Sequence, residues 1–473
     1  MAERALWTAS EAVAATGGTA RGDWSASGIS IDTRTLAKGD LYVAIKGDRL
    51  DGHEFVDAAF EAGAAAALVA SSKAKAWPDR PLLIVADTFE SLNALGAAAR
   101  HRTEARIVAI TGSVGKTSTK EALRFVLERQ GPTAASAGNL NNHWGVPLSL
   151  ARMPAATGYG IFELGMNAPG EIGPLSRLVE PHVAIITTIA PAHTEFFPSL
   201  GAVADAKAEI FEGLNGGIAI LNRDNAFFPQ LAMAAQATGV GRIVGFGAHP
   251  DAIARLVDAK LDGNGSDVTA RFNGRELQYR VGQPGRHLVI NSLAILAATE
   301  ALGADLNRAA DDLAEVPASK GRGERIRVAV EGGEIVIIDD SYNASPASMR
   351  AAFETLSQIR PEAGGRRLTA LGDMLELGER SAELHAGLAE SLRENGIELV
   401  FTAGSQMEHL HNALPEGQRG AHAADSQALA PALCNAVRAG DVITVKGSLG
   451  SAMARVVDAL RSLEKTPTRA VNG

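Results

Sequence analysis

The stretch Arg106-Ile-Val-Ala-Ile-Thr-Gly-Ser-Val-Gly-Lys-Thr-Ser-Thr119 constrains this chain more than any other. The apolar run Ile107 to Ile110 reads as a buried strand that enters a turn carrying Gly112 and Gly115. Ala122, Leu123, Val126 and Leu127 then recur at helical spacing. A strand, a glycine turn and a new helix together make an anion site, because the first helical amides point outward and glycine lets the backbone approach phosphate closely. Thr111, Gly112, Ser113, Val114, Gly115, Lys116, Thr117 and Ser118 are the predicted phosphate contacts. Lys116 supplies a mobile charge for the β- and γ-phosphates, and the Thr117 hydroxyl is placed to ligate Mg²⁺. Ile110 stands where the common G-x-x-x-x-G-K-[ST] loop has its first glycine. Kinases, transport ATPases, GTP switches and ATP-driven ligases all use such a loop, so the choice among them lies elsewhere in the chain.

Around this loop the sequence alternates short apolar runs with Ala/Leu-rich helical stretches. Strands are predicted at 106–110, 159–164, 183–189, 217–221 and 242–246, and a second series at 334–338, 367–371, 398–402 and 441–445. Their nearly continuous apolar character is that of parallel strands covered on both faces. Ser319-Lys-Gly-Arg-Gly-Glu324, between the two series, is polar and glycine-rich and reads as a linker or hinge. The glycine-punctuated first 86 residues read as a separate small unit. The expected fold class is therefore α/β in three domains. These are a small N-terminal α/β domain (1–86), a central mostly parallel sheet with helices and the phosphate loop (87–316), and a Rossmann-like C-terminal domain (317–473).

Composition narrows the function classes. The 473 residues carry 45 Lys and Arg against 54 Asp and Glu, a net charge of −9, which argues against a nucleic-acid footprint. A single cysteine, Cys434, excludes an internal disulfide. Residues 1–10 show no signal-peptide core, and the apolar run 183–190 is too short to cross a bilayer. A cytoplasmic protein without membrane insertion is expected, acting as a monomer.

Several strand ends carry chemistry. Glu163 closes the 159–164 run, where a carboxylate beside a triphosphate serves chiefly as a metal ligand. His193 follows the next strand, and Lys207 lies on a helix between Asp205 and Glu209. Asp340 ends another strand at a position suited to ribose hydroxyls, and Tyr342 could stack on a base. Arg322 and Arg325 could meet phosphate from the opposite side of a cleft. Leu371-Gly-Asp-Met-Leu-Glu-Leu-Gly378 and Val445-Lys-Gly-Ser-Leu-Gly450 mark two further strand ends.

Thr111–Thr117, Phe162-Glu-Leu-Gly-Met-Asn167, His193, Ala206-Lys-Ala-Glu-Ile-Phe211 and Asp339-Asp-Ser-Tyr-Asn343 resemble, in order, the motifs of the Mur ligases. Those enzymes form amide bonds with ATP in peptidoglycan precursor synthesis. Gly138-Asn-Leu-Asn-Asn142, Gly145-Val-Pro147 and Leu371–Gly378 resemble the members that join D-alanyl-D-alanine to UDP-N-acetylmuramoyl-tripeptide. The resemblance implies ATP and Mg²⁺ as cofactors, those two molecules as substrates, and an acyl-phosphate intermediate. It also implies that the three domains bind the UDP-sugar, ATP and the dipeptide in turn.

Lys116, Glu163, His193 and Lys207 are the implied catalytic set. The implied metal ligands are Thr117, Glu163, His193 and, once carbamoylated, Lys207. Asn291, Arg322 and Asp340 match adenine, phosphate and ribose contacts. Substrate contacts are implied at Ser30, Asp32, Arg34, Lys46, Asn139, Asn142, Tyr342, Asn343, Asp373, Met374 and Lys446. This chain has His193-Thr-Glu195 where the family more usually has His-Leu-Glu. Other amide ligases of the group, folylpolyglutamate synthase among them, and a phosphate-loop ATPase without ligase activity are the alternatives.

Overall fold

The computed structural model describes residues 5–47, 49–191, 195, 197–362 and 364–464. Among them are three large sheets, one for each expected unit. The central sheet has nine strands. From one edge they are Arg275–Val281, Gly265–Phe272, Ala254–Asp262, Arg242–Gly247, Ile218–Asn222, Val183–Ile186, Arg106–Thr111, Tyr159–Glu163 and Thr133–Ala135. Pairings from Thr133–Ala135 through Ala254–Asp262 are parallel, and the two outermost strands return antiparallel. All five central strands predicted from apolar runs are present, within a few residues of their expected ends.

Strand periodicity explains how the sheet is covered. Along Arg106–Thr111, Val108 and Ile110 pack with residues of the helices Lys116–Glu128 and Arg286–Ala301. Ile107 and Ala109 point to the other face, among residues of Gly145–Ala151 and Ile172–Val179. Both faces are therefore buried, as continuous apolar strands require.

The C-terminal sheet has the order Glu324–Val330, Gly333–Asp340, Val442–Lys446, Arg367–Gly372, Leu399–Ala403, Arg419–Ala423. It is parallel apart from its first strand. Glu324–Val330 begins where the polar hinge was expected to end, so only its first residues are linker. The N-terminal sheet orders Thr19–Arg21, Leu82–Val85, Ala66–Ala70, Asp40–Val43 and Gly28–Ser30. Helix Thr88–His101, capped by Asp87 through the amides of Phe89 and Glu90, joins it to the central unit. Leu92, Leu95 and Ala99 of that helix share one core with Trp7 and Leu68 on one side and Leu148 and Ala151 on the other.

Candidate active site

The phosphate-loop strand lies inside the central sheet, with Tyr159–Glu163 on one side and Val183–Ile186 on the other. Register sets Glu163 opposite Ile110, so its carboxylate stands beside the start of the loop. The strand predicted over 183–189 stops at Ile186. Thr187 turns inward instead, its amide donating to the Thr111 carbonyl at 3.0 Å and its hydroxyl to the Val114 carbonyl at 2.6 Å. This contact explains Gly112, whose φ is +146°: a Cβ there would lie 1.9 Å from Thr187 Oγ1. Gly115, at φ +85°, packs on Asn291, with 2.7 Å from a Cβ position to Nδ2. Any side chain at either position would collide and also meet a left-handed backbone.

Lys116 begins the helix and folds back, Nζ donating to the Gly112 carbonyl at 2.5 Å. Burial lowers its pKa, an effect that Glu163 opposes and Arg322 reinforces. Thr117 Oγ1 donates to Glu163 Oε2 at 2.8 Å, and Asn141 Nδ2 donates to Glu163 Oε1 at 2.8 Å. Lys207, near the end of helix Leu200–Ala208, is buried. Burial, and then the Lys116 charge, hold its amine well below the usual lysine range. Glu209, two residues on, accepts the amides of Gly170, Ile172 and Gly173 and so ties this helix end to the start of the preceding helix, Ile172–Val179.

These groups line a cleft of about 810 Å³ whose far wall belongs to the C-terminal sheet. Arg322, Asp340, Tyr342, Asn343 and Lys446 face the phosphate loop there, with Asn139, Asn291 and Lys207 also on the lining. Asp340 and Lys446 are register partners on adjacent strands and pair at 2.7 Å. Lys446 Nζ also donates to the Asn343 carbonyl at 2.8 Å. The Arg322 guanidinium stacks over the Tyr342 ring at 4.3 Å, so that face of the ring is covered by an arginine. Arg325, also on the lining, donates to Gly263 and Asn264 of the central sheet's antiparallel edge.

Other expected residues are placed elsewhere. Asn142 Oδ1 accepts the Gly145 amide at 2.9 Å at the start of helix Gly145–Ala151, and it is the neighbouring Asn141 that reaches Glu163. Met374 is buried in the C-terminal core, and Asp373 accepts the Met407 amide. Each of these three side chains is held by packing or by a backbone amide. Ser30, Asp32, Arg34 and Lys46 lie at or beyond the carboxyl ends of two parallel strands of the N-terminal sheet, away from this cleft. Asp32 and Arg34 pair at 2.6 Å. Thr111 is wholly buried behind the loop. His193 lies outside the described residues.

Sequence reasoning missed Asn141, Thr187 and Lys120. Asn141 had a signal, since it stands in the same Asn-rich motif, but nothing in spacing says which asparagine turns inward.

A parallel α/β sheet with a phosphate loop at its centre, facing a second α/β unit across a polar cleft, defines a nucleotide-binding enzyme architecture. Three family models match the chain: Mur ligase family, catalytic domain, over residues 25–104; Mur ligase middle domain over 110–299; and Mur ligase, glutamate ligase domain, over 321–449. The UDP-N-acetylmuramoyl-tripeptide–D-alanyl-D-alanine ligase of Escherichia coli is 38% identical over 93% of this chain and 94% of its own length. The protein of that name from Rickettsia prowazekii is 33% identical over 91% and 94%. The crystal structure of MurF from Acinetobacter baumannii superposes with a TM-score of 0.84 at 30% identity, covering 96% of this chain and 99% of that one. MurF from Thermotoga maritima, solved in complex with ADP, gives 0.75 at 27% identity over 92% and 97%. The chain belongs to the Mur ligase family.

Proposed function

We propose that this protein uses ATP to join D-alanyl-D-alanine to the terminal carboxylate of a UDP-N-acetylmuramoyl-tripeptide. The observation that carries the reading is the convergence of the phosphate loop, Glu163 and Lys207 with Arg322, Asp340 and Lys446 in a single cleft. The names of the relatives support the substrates, and the ADP held by the Thermotoga maritima protein supports the nucleotide. In this reading residues 1–86 bind the UDP-sugar through Ser30, Asp32, Arg34 and Lys46. Residues 87–316 bind ATP, and residues 317–473 receive the dipeptide near Asn343 and Lys446.

A carboxylate is a poor acyl donor because oxide would have to leave. Transfer of the γ-phosphoryl group to it gives an acyl phosphate. Attack by the neutral amine of the dipeptide forms the peptide bond, with phosphate as the leaving group and the amine proton passing to solvent. Lys116 and the loop amides face the charge that builds on the transferring group, so positioning and electrostatics carry the rate. Arg322 approaches from the opposite wall, and closure there would exclude water from the acyl phosphate.

The Thr117 hydroxyl and the Glu163 carboxylate, 2.8 Å apart, are hard oxygen donors that suit Mg²⁺, which takes one or two carboxylates together with substrate phosphates and water. That ion, when bound, supplies charge neutralisation for the transferring phosphoryl group. Among the described residues no cluster of three acidic, histidine or cysteine side chains provides a closed metal cage. The lowered pKa of Lys207 favours the neutral amine, the form able to add CO₂ and become an anionic carbamate with loss of a proton.

The test is phosphate release from ATP with each substrate alone and with both, followed by the mass of the product. Release only with both, and a product heavier by one dipeptide less water, is expected. Release that ignores both substrates would identify an ATPase without ligase activity, and release driven by another amino acid would identify a different ligase of the group.

A further inference from the structure

One charged side chain near the loop is not used by this reaction. Lys120 follows Thr117 by one helical turn and is completely buried. Buried lysines are rare because desolvating an ammonium is costly, and those that occur have partners for their protons. All three protons of this one have acceptors: the Ser136 carbonyl at 2.7 Å, the Gly138 carbonyl at 3.0 Å and Glu121 Oε1 at 3.0 Å. The two carbonyls belong to the turn that leaves strand Thr133–Ala135 and leads to Asn141.

That turn is pinned at both ends around Glu163. At its start, Ser136 Oγ accepts the Glu163 amide at 3.1 Å, and the Ser136 amide donates to Ile161 at 3.0 Å. At its far end, the Asn141 carbonyl accepts the Gly165 amide at 2.8 Å while its side chain holds Glu163 Oε1. Between them runs Gly138, left-handed at φ +53°, whose carbonyl accepts from Lys120 on the helix side. One face of helix Lys116–Glu128 therefore touches Glu163 directly through Thr117 and, a turn later, indirectly through Lys120 and the turn.

We propose that Lys120 is a positioning residue for the metal and phosphate site: its ammonium holds the 136–141 turn so that Asn141 fixes the Glu163 carboxylate. This rests on the proposed role of Glu163 as a Mg²⁺ ligand. A hydrocarbon at this position would fill the same volume, so the cation is explained by the acceptors it gathers rather than by packing. Groups that orient a metal ligand in this way change metal affinity by about 10- to 100-fold when removed.

The test compares wild type with Lys120→Met, Lys120→Gln, Asn141→Ala and the Lys120→Met/Asn141→Ala double variant. Mn²⁺ binding with ADP is read by electron paramagnetic resonance, and amide exchange over 133–142 is read on the ligand-free protein. Lys120→Met is expected to weaken Mn²⁺ binding roughly tenfold and to speed exchange over 136–141. Lys120→Gln, which keeps one donor, should recover part of both. Asn141→Ala should weaken Mn²⁺ as much without speeding exchange at 136–138, and the double variant should be no weaker than Lys120→Met alone.

Unchanged Mn²⁺ affinity in a folded Lys120 variant, or additive losses in the double variant, would overturn the proposal. If neither Lys120 variant folds, full Mn²⁺ affinity in Asn141→Ala overturns it, and a tenfold loss there supports it. Failure of the wider reading looks different: Glu163→Gln would then bind Mn²⁺ and ADP as tightly as wild type.

Discussion

Glu163 is gripped at both carboxylate oxygens, by Thr117 and by Asn141, while its own amide is tied to Ser136. Glu163→Gln keeps the volume and removes the charge. It is expected to lower kcat by about a hundredfold or more while leaving the melting temperature within a few degrees, as turnover assays and calorimetry will show. His385 makes a second residue-scale case. It is buried, its Nε2 accepts the Met374 amide at 3.0 Å, and Nδ1 lies 2.7 Å from the Ser381 carbonyl, a pattern that only the neutral ring completes. Burial lowers its pKa. The unfolded chain then takes up a proton near pH 6.5 that the folded chain refuses until lower pH. Stability is therefore full above about pH 6.5 and falls as the pH drops below it. His385→Gln should flatten this slope, measured as the urea midpoint between about pH 5 and 7. Glu163 was legible as an acid at a strand end. Its two partners were not, because they are brought to it by register and by a turn.

At the scale of elements, the parallel strands were readable because burial on both faces leaves an apolar run that no surface segment imitates. The strands 254–262, 265–272 and 275–281, joined to one another by antiparallel pairing, were not, because they form the far end of the sheet with polar residues on one face. A bulge between Leu256 and Asp258 also breaks the alternation that would have given the first of them away. The strand Glu324–Val330, directly after the hinge reading of 319–324, went unread for a similar reason, since it carries Arg325 and Arg327 on an edge. The start of strand Val442–Lys446 is anchored by a buried carboxylate. Just before it, Asp441 is fully buried and accepts from the Arg366 amide and guanidinium and from the Arg438 amide. Asp441→Ala leaves the partly exposed Arg366 guanidinium and two amides without this acceptor, so a loss of about 1–3 kcal/mol is expected. All four tryptophans precede residue 145, so their fluorescence will not report this loss. Hydrogen exchange at 442–446 will.

At the scale of the whole molecule, Arg322 is the guanidinium that the C-terminal wall of the cleft turns toward the loop, supported by Tyr342. Arg322→Ala should raise the KM for ATP roughly tenfold, the size of one charge-assisted hydrogen bond, with little change in melting temperature. If closure brings the walls together, small-angle scattering with ADP and both substrates should give a smaller radius of gyration than the free protein, and Arg322→Ala should reduce that change. The sequence by itself determined the α/β class, the division into three sheets, the phosphate loop and the acids at strand ends, because these depend on neighbours within about ten residues. Only the tertiary structure decided that Asn141 rather than Asn142 reaches Glu163, that Met374 is core, that Tyr342 carries an arginine, and that Lys120 is buried. Each of those depends on contacts between segments far apart in the chain, and burial in a folded interior, not residue type, decides whether a polar side chain is solvated, structural or poised to act.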